Sequence, residues 1–291
     1  MTQHPFSICA RGVLAGLALS LAAAGLAQGQ SAVTAAGAPT YADLADLSDA
    51  ADLVVHAKIR KAITVPAERA ASVAPNHARI YVEAETVALI AGNAPLGESL
   101  RYLVDVPLDA RGKVPKLKKA EVVLFGRTVR GKPGELQLVG PQAQLPWTPA
   151  LEARLRPILG ELAAADAPPA VTGVRDALSV PGTLAGESET QVFLSTRSGD
   201  PVSLTVVRRP SMAPVWGVSF SEIVDQAARP PARDTLAWYR LACFLPAALP
   251  SQANLASAPA DRARATADYA FVMRELGSCP RSFAAAPVAS R

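Results

Sequence analysis

Two stretches decide the fold: residues 53–65, LVVHAKIRKAITV, and residues 80–90, IYVEAETVALI. In the second, Ile80, Val82 and Ala84 point one way while Tyr81, Glu83 and Glu85 point the other, the period of two that a strand imposes. One apolar and one polar face predicts an antiparallel sheet covered on one side. Residues 100–106, 122–129 and 135–139 read as three more strands. The intervals carry turn chemistry at Pro75-Asn76, Gly92-Asn93, Asp109 to Gly112 and Gly131 to Gly134.

Upstream, Thr40 can cap a helix through Ala51, with Leu44 and Leu47 on one side and Asp43, Asp46 and Asp49 at every third position on the other. Calcium loops place acids at alternating positions around a glycine turn, so these aspartates predict a solvated helix face favoured by the N-terminal dipole. A short helix followed by five meandering strands over residues 40–146 resembles, in element order, the oligonucleotide/oligosaccharide-binding (OB) barrel as used in secreted netrin-type and protease-inhibitor modules. That resemblance implies a five-stranded antiparallel OB-like barrel. The cysteines that mark those modules are missing from this region.

Downstream, Thr148-Pro149 is a helix start, and Leu151, Leu155, Ile158, Leu159 and Leu162 form a helical stripe that Pro157 interrupts. The proline predicts a kink or two consecutive short helices. Residues 163–170, AAADAPPA, make a joint, so 147–169 reads as a linking helix and hinge. Strands follow at 173–180, 190–196, 202–208 and 215–221; then come a helix capped by Asp234 running to about Leu245 and a helix at 261–276 ended by Gly277. Residues 170–280 are therefore expected to form an antiparallel sheet with two C-terminal helices, with 281–291 a disordered tail. The fold class is α+β.

At the start of the chain, Arg11 precedes an apolar run at residues 12–26, and small residues follow at Gly25 and Ala27. The run is shorter than the roughly 20 residues of a bilayer span and fits a secretory signal cleaved after Ala27, with residues 28–39 flexible. No cysteine follows to take a lipid and no twin-arginine pair precedes the run. A periplasmic or secreted protein without a transmembrane segment is the expectation. Only Cys243 and Cys279 remain after cleavage, and an even pair in an oxidising compartment predicts a disulfide rather than a redox dithiol, which would need close spacing.

Little in the sequence speaks for catalysis. Beyond the signal, His56 and His77 lie apart from one another and from any cysteine at ligand spacing, so no metal or cofactor is expected. Residues 217–221, GVSFS, lack the closing glycine of a nucleophile elbow. Glu83 and Glu85 share a strand face, as do Glu187 and Glu189, and both pairs read as wet faces rather than glycosidase carboxylates. Trp147, Trp216 and Trp238 have apolar neighbours and read as core.

The densest charge run is Arg111, Lys113, Lys116, Lys118 and Lys119, continued by Arg127, Arg130 and Lys132, in a chain of 29 Lys+Arg against 25 Asp+Glu. Nucleic acid would call for interleaved aromatics, and only Tyr81, Tyr102 and Phe125 are at hand; export also argues against it. Anionic lipid or glycan, or a partner protein of the envelope, fits better. The expectation is a noncatalytic binding or structural protein of the cell envelope. The alternatives are a hydrolase with a scattered site or an inhibitor of an extracellular hydrolase. Residues 180–194, VPGTLAGESETQVFL, and 235–246, TLAWYRLACFLP, are similar to uncharacterised exported proteins of high-GC Gram-negative bacteria, which implies a periplasmic setting and no activity.

Overall fold

The computed structural model describes residues 38–94, 96–221 and 229–283. The expected signal peptide, the segment from 28 to 37 and the tail from 284 onward lie outside the described residues. The fold is α+β, with two antiparallel sheets and four α-helices among the described residues.

The first sheet holds β1 (Leu53–Thr64), β2 (His77–Ala91), β3 (Ser99–Pro107), β4 (Glu121–Thr128) and β5 (Leu136–Leu138) in the order β3-β2-β1-β4-β5. A short sixth strand, β6 (Gln144–Pro146), also pairs with β4 and was not expected from the sequence. Register shifts in β1 against β2 at Val54/Val55, His56/Ala57 and Ile59/Lys61 bend the long hairpin. The outer strands come back together: Arg101 of β3 forms a parallel bridge with Glu135, and its N–H donates to the Gly134 carbonyl at 2.8 Å. Gly126 permits the close approach of β5, since a Cβ there would lie 2.5 Å from the Leu136 side chain.

β1 and β4 form a wall between two cores. Leu53, Val55, Ala57 and Ile59 face inward with Val122 and Leu124, joining Ile80, Val82, Leu100, Tyr102 and Val104. Val54, Val123 and Phe125 face the opposite way, into a second cluster. Burial on both faces is why these strands read as the continuous runs LVV and VVLF while β2 and β3 alternate.

That second cluster is shared by both halves of the chain. It takes Leu44 and Leu47 from α1 (Tyr41–Ala50), Leu155 and Ile158 from α2 (Pro149–Ala163), and Val192, Leu194, Leu204 and Val206 from the second sheet. The second sheet comprises β7 (Val171–Pro181), β8 (Ser188–Thr196), β9 (Val202–Arg208) and β10 (Val215–Ser219) in the order β10-β9-β8-β7. α3 (Leu236–Ala242) and α4 (Pro259–Leu276) complete it with Trp238, Tyr239, Tyr269 and Val272.

Three local expectations are corrected. α2 runs as one helix through Pro157 rather than as two short ones, with Leu155 and Ile158 on either side buried where the proline has no N–H to donate. α3 begins after Thr235, whose hydroxyl accepts from Trp238 N–H, while Asp234 takes a positive φ of 57° outside the helix; α3 also ends at Ala242. The aspartates of α1 do not simply face solvent: all three are paired, although Asp46 is half-buried and Asp49 exposed. Asp43 is 1% exposed and its carboxylate accepts from Thr40, from Ser282 N–H at 3.0 Å and from Phe283 N–H at 3.2 Å. Asp46 accepts from Tyr239 hydroxyl at 2.5 Å and Arg281 Nε at 2.7 Å, and Asp49 takes Arg240 through two bonds of 2.8 Å. Arg281, Ser282 and Phe283, the first residues of the expected tail, are thus fastened to α1.

Cys243 and Cys279 are joined, with Cα atoms 5.2 Å apart, just beyond the ends of α3 and α4. No helix among the described residues is long and apolar enough to cross a membrane.

Candidate functional site

The outer face of the first sheet carries a row that alternation alone did not reveal. Ile63 on β1 sits opposite Tyr81 on β2, and Tyr81 opposite Leu103 on β3. Leu103 is 51% exposed and Ile63 44%, so an apolar strip crosses three strands on the solvent side. At strand spacing it is roughly 10 Å long. The sequence signal was the parity of Leu103, an apolar residue between Arg101 and Asp105 on the polar face.

The strip leads into a groove of about 510 Å³ between the β2–β3 face and the segment from Val129 to Pro141. Arg79 and Asp105, directly opposite across β2 and β3, are locked by two bonds of 2.8 Å. The Asp105 carboxylate raises the Arg79 guanidinium above its ordinary value. Arg101 also lines the groove, and among the described residues its guanidinium has no partner. The groove therefore offers an aromatic ring, aliphatic surface and one unspent cation, the few convergent polar groups on an apolar floor that binding sites use.

The basic run falls in two places. Arg111, Lys113, Lys116, Lys118 and Lys119 are exposed on the loop between β3 and β4. Arg127, Arg130 and Lys132 lie at the other end of β4, roughly 24 Å away at strand rise. Arg127 Nε donates to the Ala50 carbonyl at 2.9 Å, and Lys132 lies 3.5 Å from Glu135, so those two are engaged locally. The loop is fixed from within. Asp109 accepts from Arg111 N–H and Lys113 N–H, Lys119 N–H donates to Ile59 carbonyl, and Val114 and Leu117 pack on the inner core. Among the described residues none of its five cationic side chains has a partner.

The histidines differ. His77 is exposed in a turn, its Nδ1 2.9 Å from Pro75 carbonyl. His56 is buried, stacked on Trp147 with ring centroids 4.3 Å apart, and its Nε2 lies 3.1 Å from Glu121. Lys58 bonding, then His56 bonding, holds the Glu121 carboxyl below its ordinary range. Trp147 Nε1 and Arg156 likewise lower Glu152. His56 thus meets a carboxylate and an indole, and the Lys58 ammonium reaches the same carboxylate. Glu83 and Glu85 are bridged to Lys61 and Arg60 of β1. Glu187 is taken by Thr183 N–H and Leu184 N–H, and Glu189 accepts from Gln191. Trp216 and Trp238 are buried.

Comparison with known proteins finds no family model and no curated protein that matches this chain.

Proposed function

We propose that this chain is an exported, noncatalytic binding protein of the cell envelope that holds a partner protein's apolar segment in the groove over β2 and β3. The observation that carries this reading is the strip Ile63, Tyr81 and Leu103 ending beside the Arg101 guanidinium, which has no partner among the described residues. Leaving such side chains on solvent gives no folding benefit, whereas a ligand with an apolar body and one acidic group would cover the strip and pair the cation. The strand order, with β4 returning to β1 and Glu135, just before β5, meeting β3 in a parallel bridge, supports the OB-like reading, in which the β2–β3 face and its flanking loops bind. Fold analogy alone would not assign a function.

Export is supported by the signal-like run at residues 12–26 and by a disulfide, which persists in oxidising compartments. The similarity of residues 180–194 and 235–246 to exported proteins of high-GC Gram-negative bacteria agrees with it.

The test places the photoreactive residue benzoylphenylalanine at Leu103 and, as control, at Leu255, which is 57% exposed elsewhere. After irradiation of intact cells, the reading expects an envelope-fraction adduct at Leu103 that Arg101→Glu removes, and none at Leu255. No adduct at Leu103, or equal adducts at both positions, sinks the groove. A full-length cytoplasmic mass with free thiols sinks export.

A further inference from the structure

We propose that the β3–β4 loop is a second, independent contact surface that rests the protein on an anionic phospholipid bilayer. Several cations of the two sheets are matched, Lys58 to Glu121, Arg60 to Glu85, Lys61 to Glu83, Arg79 to Asp105 and Arg175 to Asp176, and no other nine-residue stretch of the chain gathers five cations as residues 111–119 do. Over residues 108–120 the five cations face only Asp109, whose carboxylate is turned to backbone N–H groups. The formal net charge of the whole chain is +4, so this one loop carries its entire surplus.

The chemistry of the loop selects the surface. Four of the five cations are lysines, compact point charges without the planar fork that reads a carboxylate or a base edge. The loop has no aromatic residue to stack on a sugar or a base. Its apolar residues Val114 and Leu117 are turned to the core, so it presents charge without a wedge to insert. A diffuse lattice of phosphates is the partner that such an array fits, held by long-range attraction and released by salt. Because Val114 and Leu117 pin the loop, the array needs little ordering on contact.

Cosedimentation of the purified protein with vesicles of 30% phosphatidylglycerol in phosphatidylcholine tests this. Binding is expected at low salt, with loss in 0.5 M salt and none to pure phosphatidylcholine. Each Lys→Gln at Lys113, Lys116, Lys118 and Lys119 should weaken partition about fivefold, whereas the Lys→Arg set keeps it. No pelleting, an unchanged quadruple Gln variant, or stronger competition by polyuronate or duplex DNA at equal charge overturns the proposal. The Leu103 adduct is read separately, so loop and groove fail independently.

Discussion

The α1 helix and the β3–β4 loop are both dense in charge of one sign, yet they end in opposite conditions. On α1, Asp43, Asp46 and Asp49 are drawn against the C-terminal third of the chain, each meeting donors about 190 to 240 residues away. On the loop, Arg111 to Lys119 meet no partner among the described residues. Charge that folding has paired holds the molecule together, and charge that folding has left unpaired is available to something outside it. The contrast is energetic, because a pair removed from water is costly to break while an exposed cation contributes little to stability.

The largest effect should come from breaking the clasp. Arg240 is 5% exposed and its guanidinium is held by Asp49, with Pro168 carbonyl at 3.2 Å and the Tyr239 ring below it. Asp49→Asn removes the countercharge and leaves a buried cation, a change that costs about 3–5 kcal/mol. At roughly 2–4 °C per kcal/mol for a domain of this size, thermal unfolding should fall by roughly 6–20 °C. A loss under 2 °C would mean that the clasp is ornamental and the two charged regions are alike.

Acid should separate them next. Burial alone would raise Asp49 and Asp43, but Arg240 bonding and charge on the first, and Ser282, Thr40 and Phe283 bonding on the second, overcome it and hold both below the usual carboxylate range. A depressed folded pKa stabilises the fold above the unfolded value, near 3.9, and that contribution disappears as pH falls through the folded value. Stability measured by urea unfolding should therefore decline below about pH 4, and Asp49→Asn should flatten the decline. An acid slope identical in Asp49→Asn and the wild type would remove Asp49 from the account.

How much of this could be read from the chain depends on whether a feature is local. Alternation in residues 80–90 located β2, and the even cysteine pair located the staple, because both follow from neighbours or compartment. The aspartate triplet read as solvent-facing because period three says which residues share a face, not what packs on it. Tyr239, Arg240 and Arg281 lie about 190 to 235 residues on, and nothing in the spacing names them. The same limit hid the groove. Leu103 stood out only by its parity, and its neighbours Tyr81 and Ile63 come from strands whose register no single stretch specifies. The cations of 111–132 read as one patch because they are near in sequence, but an eight-residue strand carries them to opposite ends.

The smallest expected effect sharpens the comparison most. The Gln variants of Lys113, Lys116, Lys118 and Lys119 remove four charges without touching a bond, so thermal stability should move within about 0.5 kcal/mol of wild type in either direction. Relief of like-charge repulsion would place the change on the stabilising side, and that gain should shrink as salt is raised. A loss above 1 kcal/mol would show that the loop charges are spent on the fold after all. An unchanged fold would instead leave α1 and the loop as the two ends of one rule: in this molecule, folding spends charge where it can bury it, and charge left exposed without a partner does no folding work.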